Sequence, residues 1–346
     1  MTAPCVGRVA FGGPDLPHRA LRDLLAAEIA AVPSGGSIDW STYYFRDRAL
    51  AACLIAAGER GVRVRVVMER RPRLRRANSA VIAMLAASPA VELVARRWWP
   101  GRLHAKIYAF SHPDRAWVGS FNPSGDTPED AEVVNIIGDQ DRGDNILMEI
   151  VNPSIVEGLR RVVAAFGSVS PLLARLDPRL PAALAVPGLQ ISLYPRWRTS
   201  VIEGRLARLR AGDRVIGAIS HLKEGPLTNS LQSAAKSGAE VRLVAHATER
   251  RVPEAVVSRL SAAGVRIHRG GSAAVAPMHA KMLLVTENGR TGAWTGSYNY
   301  NPRSQYLNAE ILISSDDEAL VAAIRGRLGQ IMARSEESVA PSPSPH

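Results

Sequence analysis

Two stretches of this 346-residue chain repeat one another block by block in the same order. LHAKIYAF, from Leu103, recurs as MHAKMLLV from Met278, and AWVGSFNPS recurs as AWTGSYNYN. ACLIAAGERGVRVRVVME similarly matches SLQSAAKSGAEVRLVAHA, and DAEVVNIIGD matches LNAEILISSD. Paired glycine, tryptophan and asparagine positions are 177 residues apart, and the paired histidines are 175 apart. Four blocks in one order at nearly one spacing predict two copies of one structural unit.

Each copy alternates strand and helix patterns before a run of strands, which predicts an α/β sandwich in each half. We expect first-half strands near 38–45, 62–68, 91–95, 105–110, 116–119 and 132–137, with helices near 47–57, 78–86 and 153–166. The expected second-half strands are 214–219, 240–245, 266–268, 281–285 and 310–313.

The pattern divides the chain into an N-terminal repeat, 1–180, and a C-terminal repeat, 181–333. The Pro- and Leu-rich stretch 170–190 is the expected join between them. Residues 334–346 end in SVAPSPSPH, a linker composition that predicts a disordered tail.

Composition excludes several classes of protein. Hydrophobic residues make up 46% of the chain, too many for a wholly disordered polyelectrolyte. No apolar stretch reaches the length of a membrane span, and the first residues lack a secretory signal pattern, so we expect a soluble cytoplasmic protein. Two cysteines cannot build a disulfide framework or a zinc site. The net charge of +11 comes almost entirely from arginine, since only four lysines are present.

Two of those lysines, Lys106 and Lys281, each follow a histidine by two residues. Each His-x-Lys is followed by Gly-Ser-x-Asn and then by a glutamate, giving the sets His104, Lys106, Ser120, Asn122, Glu132 and His279, Lys281, Ser297, Asn299, Glu310. Residues i and i+2 of a strand share a face, so imidazole and ammonium point together, which is costly to bury unless an anion joins them. A phosphate fits this pattern: lysine neutralises it, serine and asparagine donate hydrogen bonds, and a neutral imidazole presents a lone pair to phosphorus. A carboxylate behind the imidazole fixes its tautomer.

These motifs resemble the signature of the phospholipase D superfamily, and the resemblance extends from about Arg22 to Ala333. It implies two pseudo-symmetric α/β halves with one active site at their interface, and it implies neither a metal nor a cofactor. It also implies a phosphodiesterase or phosphatidyltransferase that acts through phosphohistidine, with His104 as nucleophile and His279 as general acid. The near-symmetry of the copies also permits the reverse assignment. Both lysines and both glutamates, Glu132 and Glu310, are implied to support catalysis, with Ser120, Asn122, Ser297 and Asn299 on the phosphate.

The chain departs from the superfamily signature at one position in each copy. The aspartate expected five residues after each lysine is replaced by Ser111 and by Thr286, and Asp114 lies three residues beyond the first of these. The tyrosyl-DNA phosphodiesterases also lack this aspartate, so the departure weakens the expectation of a phospholipid substrate more than that of phosphodiester chemistry.

Two features bear on the substrate without deciding it. An arginine run continues past the carboxyl end of a predicted strand, where α/β proteins bind ligands: Arg60, Arg63, Arg65, Arg70, Arg71, Arg73, Arg75 and Arg76. Trp98 and Trp99 precede the first motif and suit either base stacking or a lipid interface, or ordinary packing. Three hypotheses stay open: a phospholipid enzyme, a nuclease of the same superfamily, and a non-catalytic nucleic-acid-binding protein. Peripheral contact with an anionic membrane or with nucleic acid, by a monomer, is compatible with the charge.

Overall fold

The computed structural model describes residues 5–96, 100–125, 131–168, 181–196, 200–271 and 276–337. The strands of the first half are β1 (Val6–Gly12), β2 (Ser37–Thr42), β3 (Arg63–Glu69), β4 (Val91–Arg96), β5 (Ile107–Phe110), β6 (Arg115–Gly119) and β7 (Asn145–Ile150). Its helices are α1 (Ala20–Ala31), α2 (Arg48–Glu59), α3 (Ser79–Ala87), α4 (Ala131–Ile137) and α5 (Pro153–Ser168), with a 3-10 turn at Arg75–Asn78.

The second half follows the same order of elements. Its strands are β8 (Ala183–Val186), β9 (Leu189–Tyr194), β10 (Arg214–Ile219), β11 (Glu240–His246), β12 (Arg266–Gly270), β13 (Lys281–Glu287), β14 (Arg290–Gly296) and β15 (Glu310–Ser315). Its helices are α6 (Val201–Leu206), α7 (Pro226–Lys236), α8 (Glu254–Ala262), α9 (Pro302–Tyr306) and α10 (Glu318–Glu337).

Local sequence accounts for these elements. In β3 the arginines of RVRVVME alternate with buried valines, as expected for a strand whose two faces meet different surroundings. Helix α2 begins after Asp47, whose carboxylate accepts a hydrogen bond from Leu50 N at 2.8 Å and so satisfies an N-terminal amide. Leu50 and Leu54, one turn apart, are both buried and fix the face that packs on the sheet.

The two sheets have the same topology. The strand order is β1-β7-β6-β5-β2-β3-β4 in the first and β8-β9-β15-β14-β13-β10-β11-β12 in the second. Strands therefore match one for one, β5 with β13 and β7 with β15, and the second sheet has one additional edge strand, β8. In each sheet the three strands at one end are parallel and the rest of the ladder is antiparallel. The pseudo-symmetric pair of α/β halves expected from the sequence is confirmed.

One face of each sheet faces the other half. In β5, Ile107 and Ala109 belong to a core shared by both sheets and by helices α5 and α10, whereas Tyr108 and Phe110 pack in the outer core beneath α1, α2 and α3. A third core places the outer face of the second sheet against α6, α7 and α8. The alternation of side chains along each strand thus joins the halves through one apolar layer.

Several predicted element bounds need correction. Residues 132–137 form part of helix α4 and not a strand, because a short apolar run such as AEVVNII fits either state and only its packing decides. The predicted set of strands omits β1, β7 and β14, of which β7 lies at Asn145–Ile150. Within the predicted join, residues 183–186 and 189–194 pair as strands of the second sheet. Helix α10 continues through Glu337, beyond the predicted start of the tail at 334. The predicted domain boundary at 180 and the last residues, 338–346, lie outside the described residues.

None of the helices within the described ranges combines the length and the apolar character that crossing a membrane requires.

Candidate active site

The two histidines lie at the interface between the halves, each held by the backbone of the opposite half. His104 N donates to Ala309 O at 2.9 Å, and His279 N donates to Asp144 O at 3.1 Å. The residues before them, Leu103 and Met278, form bridges with Ala309 and Asp144. Both contacts follow one pattern: the segment that carries each histidine, just before β5 or β13, pairs with the residue that precedes β7 or β15 of the other copy.

Both imidazoles line a single cavity of about 450 Å³, together with Asn122 and Asn299. His104 also packs against Tyr43, with 5.0 Å between ring centroids. The structure therefore brings the histidine and asparagine of both predicted motifs to one space, although 175 residues separate the histidines in the sequence.

Glu310, the first residue of β15, contacts the imidazole of the opposite half. Its Oε2 lies 2.7 Å from His104 Nδ1 and accepts a hydrogen bond from Ser297 Oγ at 2.7 Å. Its Oε1 accepts one from Ser304 Oγ at 2.6 Å and a longer one, at 3.4 Å, from Asn308 Nδ2. Burial of this fully enclosed side chain would raise the pKa of Glu310, but His104 and the hydrogen bonds to the carboxylate hold it below its ordinary value.

Asn145 occupies the equivalent position in the first half. Its Oδ1 lies 2.9 Å from His279 Nδ1 and 2.9 Å from the donor Ser120 Oγ, while its Nδ2 donates to Gln140 O and Gly143 O. These two carbonyl acceptors fix the orientation of the amide, so its oxygen faces the imidazole. One histidine is therefore backed by a carboxylate and the other by a neutral amide.

Glu132, the predicted partner of Glu310, does not hold this position. It belongs to helix α4, and the residue on the matching strand is Asn145. The repeat contained a signal for this: AEILI around Glu310 also aligns with DNILM around Asn145, but the glutamate shared with DAEVV favours the other alignment. We therefore propose no supporting role in catalysis for Glu132.

Neither serine has a hydroxyl proton available for a substrate. Ser120 and Ser297 are fully buried, donate to Asn145 and Glu310, and accept from the backbone N of Ile146 and Ile311 at 3.1 and 3.0 Å. The prediction that they bind phosphate is therefore replaced by a positioning role, because each fixes the group behind an imidazole.

Steric contacts require glycine at the position before each serine. A Cβ on Gly119 would clash with Ile146 O, and one on Gly296, whose φ is +130°, would lie 2.5 Å from Ile311 O. Only glycine allows β6 and β14 to approach the next strand this closely at these positions. The absence of a side chain at Gly296 thus allows the close strand packing that places Ser297 beside Glu310.

The asparagines differ from the serines because both reach the cavity. Asn122 Oδ1 accepts a hydrogen bond from Tyr44 N at 3.2 Å, which turns its amide nitrogen toward other acceptors. Asn299 lines the cavity with no partner for Oδ1 among the residues that the structure describes. Asn122 can therefore donate its amide N–H to an anion in the cavity, and Asn299 contributes a second amide to the lining.

Both lysines are buried and anchored on their own motif. Lys106 Nζ donates to His104 O at 2.6 Å, and Lys281 Nζ donates to His279 O at 2.8 Å. Burial lowers the pKa of Lys106 to about 7, against the opposing effect of Glu310, and burial together with Lys106 lowers the pKa of Lys281 well below its ordinary value. Two crowded ammonium groups in a dry site are stabilised by an anion between them.

The same environment favours the neutral form of both imidazoles. Burial and the nearby Lys106 lower the pKa of His104 to about 4, although Glu310 opposes the shift. Burial, followed by Lys281 and Lys106, lowers the pKa of His279 well below its ordinary value. Imidazoles that are neutral in the resting state present lone pairs, as a nucleophile or a general base must.

The positions where the family signature has aspartate lie away from this site. Ser111 Oγ accepts from Ser37 N at 2.7 Å, and Thr286 hydrogen-bonds Thr291 at 2.9 Å. Asp114 forms a surface ion pair with Arg160 at 3.2 Å. None of the three belongs to the cavity lining.

Positive charge surrounds the cavity. Its lining includes Lys223 and the arginines Arg73, Arg102, Arg250, Arg251 and Arg303, and no aspartate or glutamate is found among the described lining residues. From the predicted arginine run, only Arg73 is among these residues. Arg63 and Arg65 instead pair with Asp39 and Glu92 at 3.2 and 2.9 Å. Trp98 and Trp99 lie outside the described residues.

Comparisons with known proteins agree with this geometry. The family described as "Cardiolipin synthase, PLD-like domain" matches residues 31–147 and 208–332, which together are well over half of the chain. None of the curated proteins matches the sequence.

Two solved structures share the fold. A phosphatidylserine synthase from Haemophilus influenzae superposes with a TM-score of 0.63 at 14% identity, covering 94% of this chain and 86% of the other. A polyphosphate kinase from Porphyromonas gingivalis superposes with a TM-score of 0.63 at 17% identity, covering 94% of this chain. This chain spans 47%, about half, of the length of that kinase.

Proposed function

Because the chain belongs to the family described as "Cardiolipin synthase, PLD-like domain", we propose that it is a phosphodiester hydrolase or transferase. It acts through a phosphohistidine that forms on His104, the histidine whose Nδ1 contacts Glu310. The observation that carries the assignment of roles is the difference between the two backing groups. A carboxylate 2.7 Å from His104 Nδ1 stabilises the positive imidazole that exists while Nε2 is bonded to phosphorus. The amide of Asn145 offers His279 no such stabilisation.

The anionic substrate raises the pKa of His279, which takes up a proton from solvent before the first step. In that step His104 Nε2 attacks phosphorus, the bond from phosphorus to the leaving oxygen breaks, and that oxygen takes the proton from His279. A histidine backed by a neutral amide gives up its proton more readily than one backed by a carboxylate, so His279 suits the role of acid. In the second step neutral His279 removes a proton from water or an alcohol, which attacks phosphorus while the bond to His104 breaks. Lys106, Lys281 and the two asparagines bind the oxygens of phosphorus throughout.

A phospholipid is the substrate we favour, because the matching family carries the description of a cardiolipin synthase. A second candidate, a nucleic-acid phosphodiesterase, draws support from the arginines around the cavity, since guanidinium groups grip phosphates of any source. The binding-only alternative is disfavoured, because both imidazoles, both lysines and their backing groups are complete.

The test is to trap the intermediate. Incubation with bis(4-nitrophenyl) phosphate and an alkaline quench preserves a phosphoramidate, which acid would cleave. His279→Asn should accumulate a 4-nitrophenyl phosphoryl group, the label, on His104. Nitrophenolate leaves without an acid, so the first step still proceeds, whereas the second step lacks its base. His104→Asn should carry no label. Label on residue 279 of the His104→Asn protein would reverse the assignment, and absence of both label and turnover in the unaltered protein would refute the proposed chemistry.

A further inference from the structure

Arg251 differs from every other arginine that lines the cavity, because its guanidinium is buried. The residue is 4% exposed and lies in the loop between β11 and α8. Its Nη2 donates to Ile137 O at 3.0 Å, and its Nε and Nη1 have no hydrogen-bond partner among the residues that the structure describes. Arg73, Arg250 and Arg303 are exposed to solvent at the rim and need no such partner.

No acidic side chain lines the cavity beside Arg251 within the described part of the chain. Burial, together with Arg73, lowers the pKa of Arg251 to about 10, with Tyr44 opposing. A buried guanidinium without a counter-ion is costly, and a ligand anion beside it removes the cost. Arg251 also contributes, after Lys281 and Lys106, to the lowered pKa of His279, so it lies within electrostatic reach of the reacting groups.

A second unsatisfied side chain lines the same cavity. Gln140 is 1% exposed, and neither its Oε1 nor its Nε2 has a partner within the described part of the chain. It follows Ile137, the acceptor for Arg251, by three residues, and its own backbone O accepts from Asn145 Nδ2 at 2.9 Å. The amide of Gln140 and the guanidinium of Arg251 can therefore donate to one group held beside His279.

Building on the proposed function, we infer that Arg251 and Gln140 form a subsite for a second phosphate of the substrate, separate from the phosphorus that His104 attacks. The proposed function already assigns the two lysines and two asparagines to the scissile phosphate, whereas Arg251 and Gln140 lie on loops outside both motifs. The substrate class is accordingly a phosphodiester that carries an additional phosphate. Lipids and nucleotides both supply this chemistry.

The experiment compares matched substrates with and without the extra phosphate. The nucleotide pair is thymidine 5′-(4-nitrophenyl phosphate), with a free 3′-hydroxyl or a 3′-phosphate. The lipid pair is phosphatidylglycerol and phosphatidylglycerol phosphate in detergent micelles. We expect kcat/KM to be about tenfold or more higher for the doubly charged member of at least one pair, as a charge-assisted bidentate contact allows. The pair that shows the preference identifies the source of the second phosphate.

Three variants test whether the preference for the doubly charged substrate depends on Arg251 and Gln140. Arg251→Gln and Gln140→Glu should abolish the preference, because each should lower kcat/KM for the doubly charged member by about tenfold more than for the singly charged member. Gln140→Glu preserves the size of the side chain. The control is Arg269→Gln. Arg269 donates to His246 O and Val252 O and so supports the same loop, but it does not line the cavity. This variant should retain the preference.

The outcomes separate the subsite from the proposed function. Equal kcat/KM within both pairs, or a preference that survives Arg251→Gln, overturns the subsite and leaves the phosphodiesterase in place. If no substrate is cleaved, the proposed function fails and calorimetric titration decides the subsite. Tripolyphosphate binding that is about tenfold tighter than phosphate binding, and is lost in Arg251→Gln, would support it. Equal affinities would overturn it.

Discussion

The carboxylate of Glu310 lies 2.7 Å from Nδ1 of His104, a residue 206 positions earlier in the chain and in the other half of the molecule. The same oxygen also accepts the Ser297 hydroxyl, while the second oxygen is held by Ser304. The carboxylate is therefore fixed from three directions, and the imidazole has one tautomer available to it.

Glu310→Gln should lower kcat by about 10²-fold to 10⁴-fold, because the imidazole loses the negative charge that stabilises its phosphorylated form. Steady-state turnover of an aryl phosphodiester measures the effect. Ser304→Ala is the control, since it removes only a donor to the oxygen that does not contact His104. A Glu310→Gln enzyme as fast as Ser304→Ala would contradict the role of the carboxylate.

Asn145→Asp should move the basic limb of the pH profile of kcat/KM upward by about one to three units. The new carboxylate lies within hydrogen-bond distance of His279 and raises the pKa of the group that must be protonated for the first step. Asn152→Asp is a matched change of charge at the N-terminus of α5, where Asn152 Oδ1 accepts from Ile155 N. Aspartate serves equally well there, so the profile of this control should not move. An unshifted basic limb in Asn145→Asp would show that His279 is not the acid.

The free energy of unfolding should fall as the pH drops from about 7 toward 4. His246 is buried, its Nδ1 accepts hydrogen bonds from Thr248 N and Oγ1, and burial, followed by the charges of Arg251, Lys281 and Arg269, lowers its pKa to about 3. Because the unfolded chain binds this proton at higher pH than the folded one, acid favours unfolding, by about 1.4 kcal/mol per pH unit for each such histidine.

Urea unfolding at several pH values measures this slope. His246→Gln should reduce it between pH 6 and 4, whereas His18→Gln, a change at an exposed residue outside the cores, should not. Equal slopes in the two variants would contradict the assignment.

Gly296→Ala should destabilise the protein by more than about 1 kcal/mol, because its φ of +130° is strained for alanine and its Cβ would lie 2.5 Å from Ile311 O. Gly326→Ala, inside helix α10 with open space at its Cβ, should be neutral or stabilising by up to about 1 kcal/mol. Chemical denaturation of both variants tests the pair. Activity should fall further in Gly296→Ala than in Gly326→Ala, since Gly296 sets the position of Ser297 beside Glu310. Equal stabilities would refute the steric role of the glycine.

The sequence predicted the parts of the site that depend on local pattern. The strands around Lys106 and Lys281 and the parallel strands before them follow from alternating apolar residues, and they agree with the structure within a few residues. The identity of the motif histidines followed from duplication alone.

The spacing of the repeat directed the search away from the partner of His279. Asn145 lies 165 residues before Glu310, while most paired positions are 177 apart, because the segment that contains helix α4 shifts the alignment of the first half. A search by residue type selected Glu132, since an asparagine does not resemble a glutamate in sequence. The sheet decides between the two alignments, because Ile146 N and Ile311 N donate to the paired serines. The burial of Arg251 against Ile137 likewise depends on packing between segments that are distant in sequence.

Each imidazole is backed by a residue of the opposite half, and this arrangement affects how such a site can evolve. In an assembly of two identical subunits, a single codon change at the backing residue would alter both imidazoles at once, and neither would keep its carboxylate. A fused duplicate escapes this constraint, since replacing one backing group with Asn145 leaves Glu310 untouched. A covalent fusion thus permits a different backing group for each of the two imidazoles.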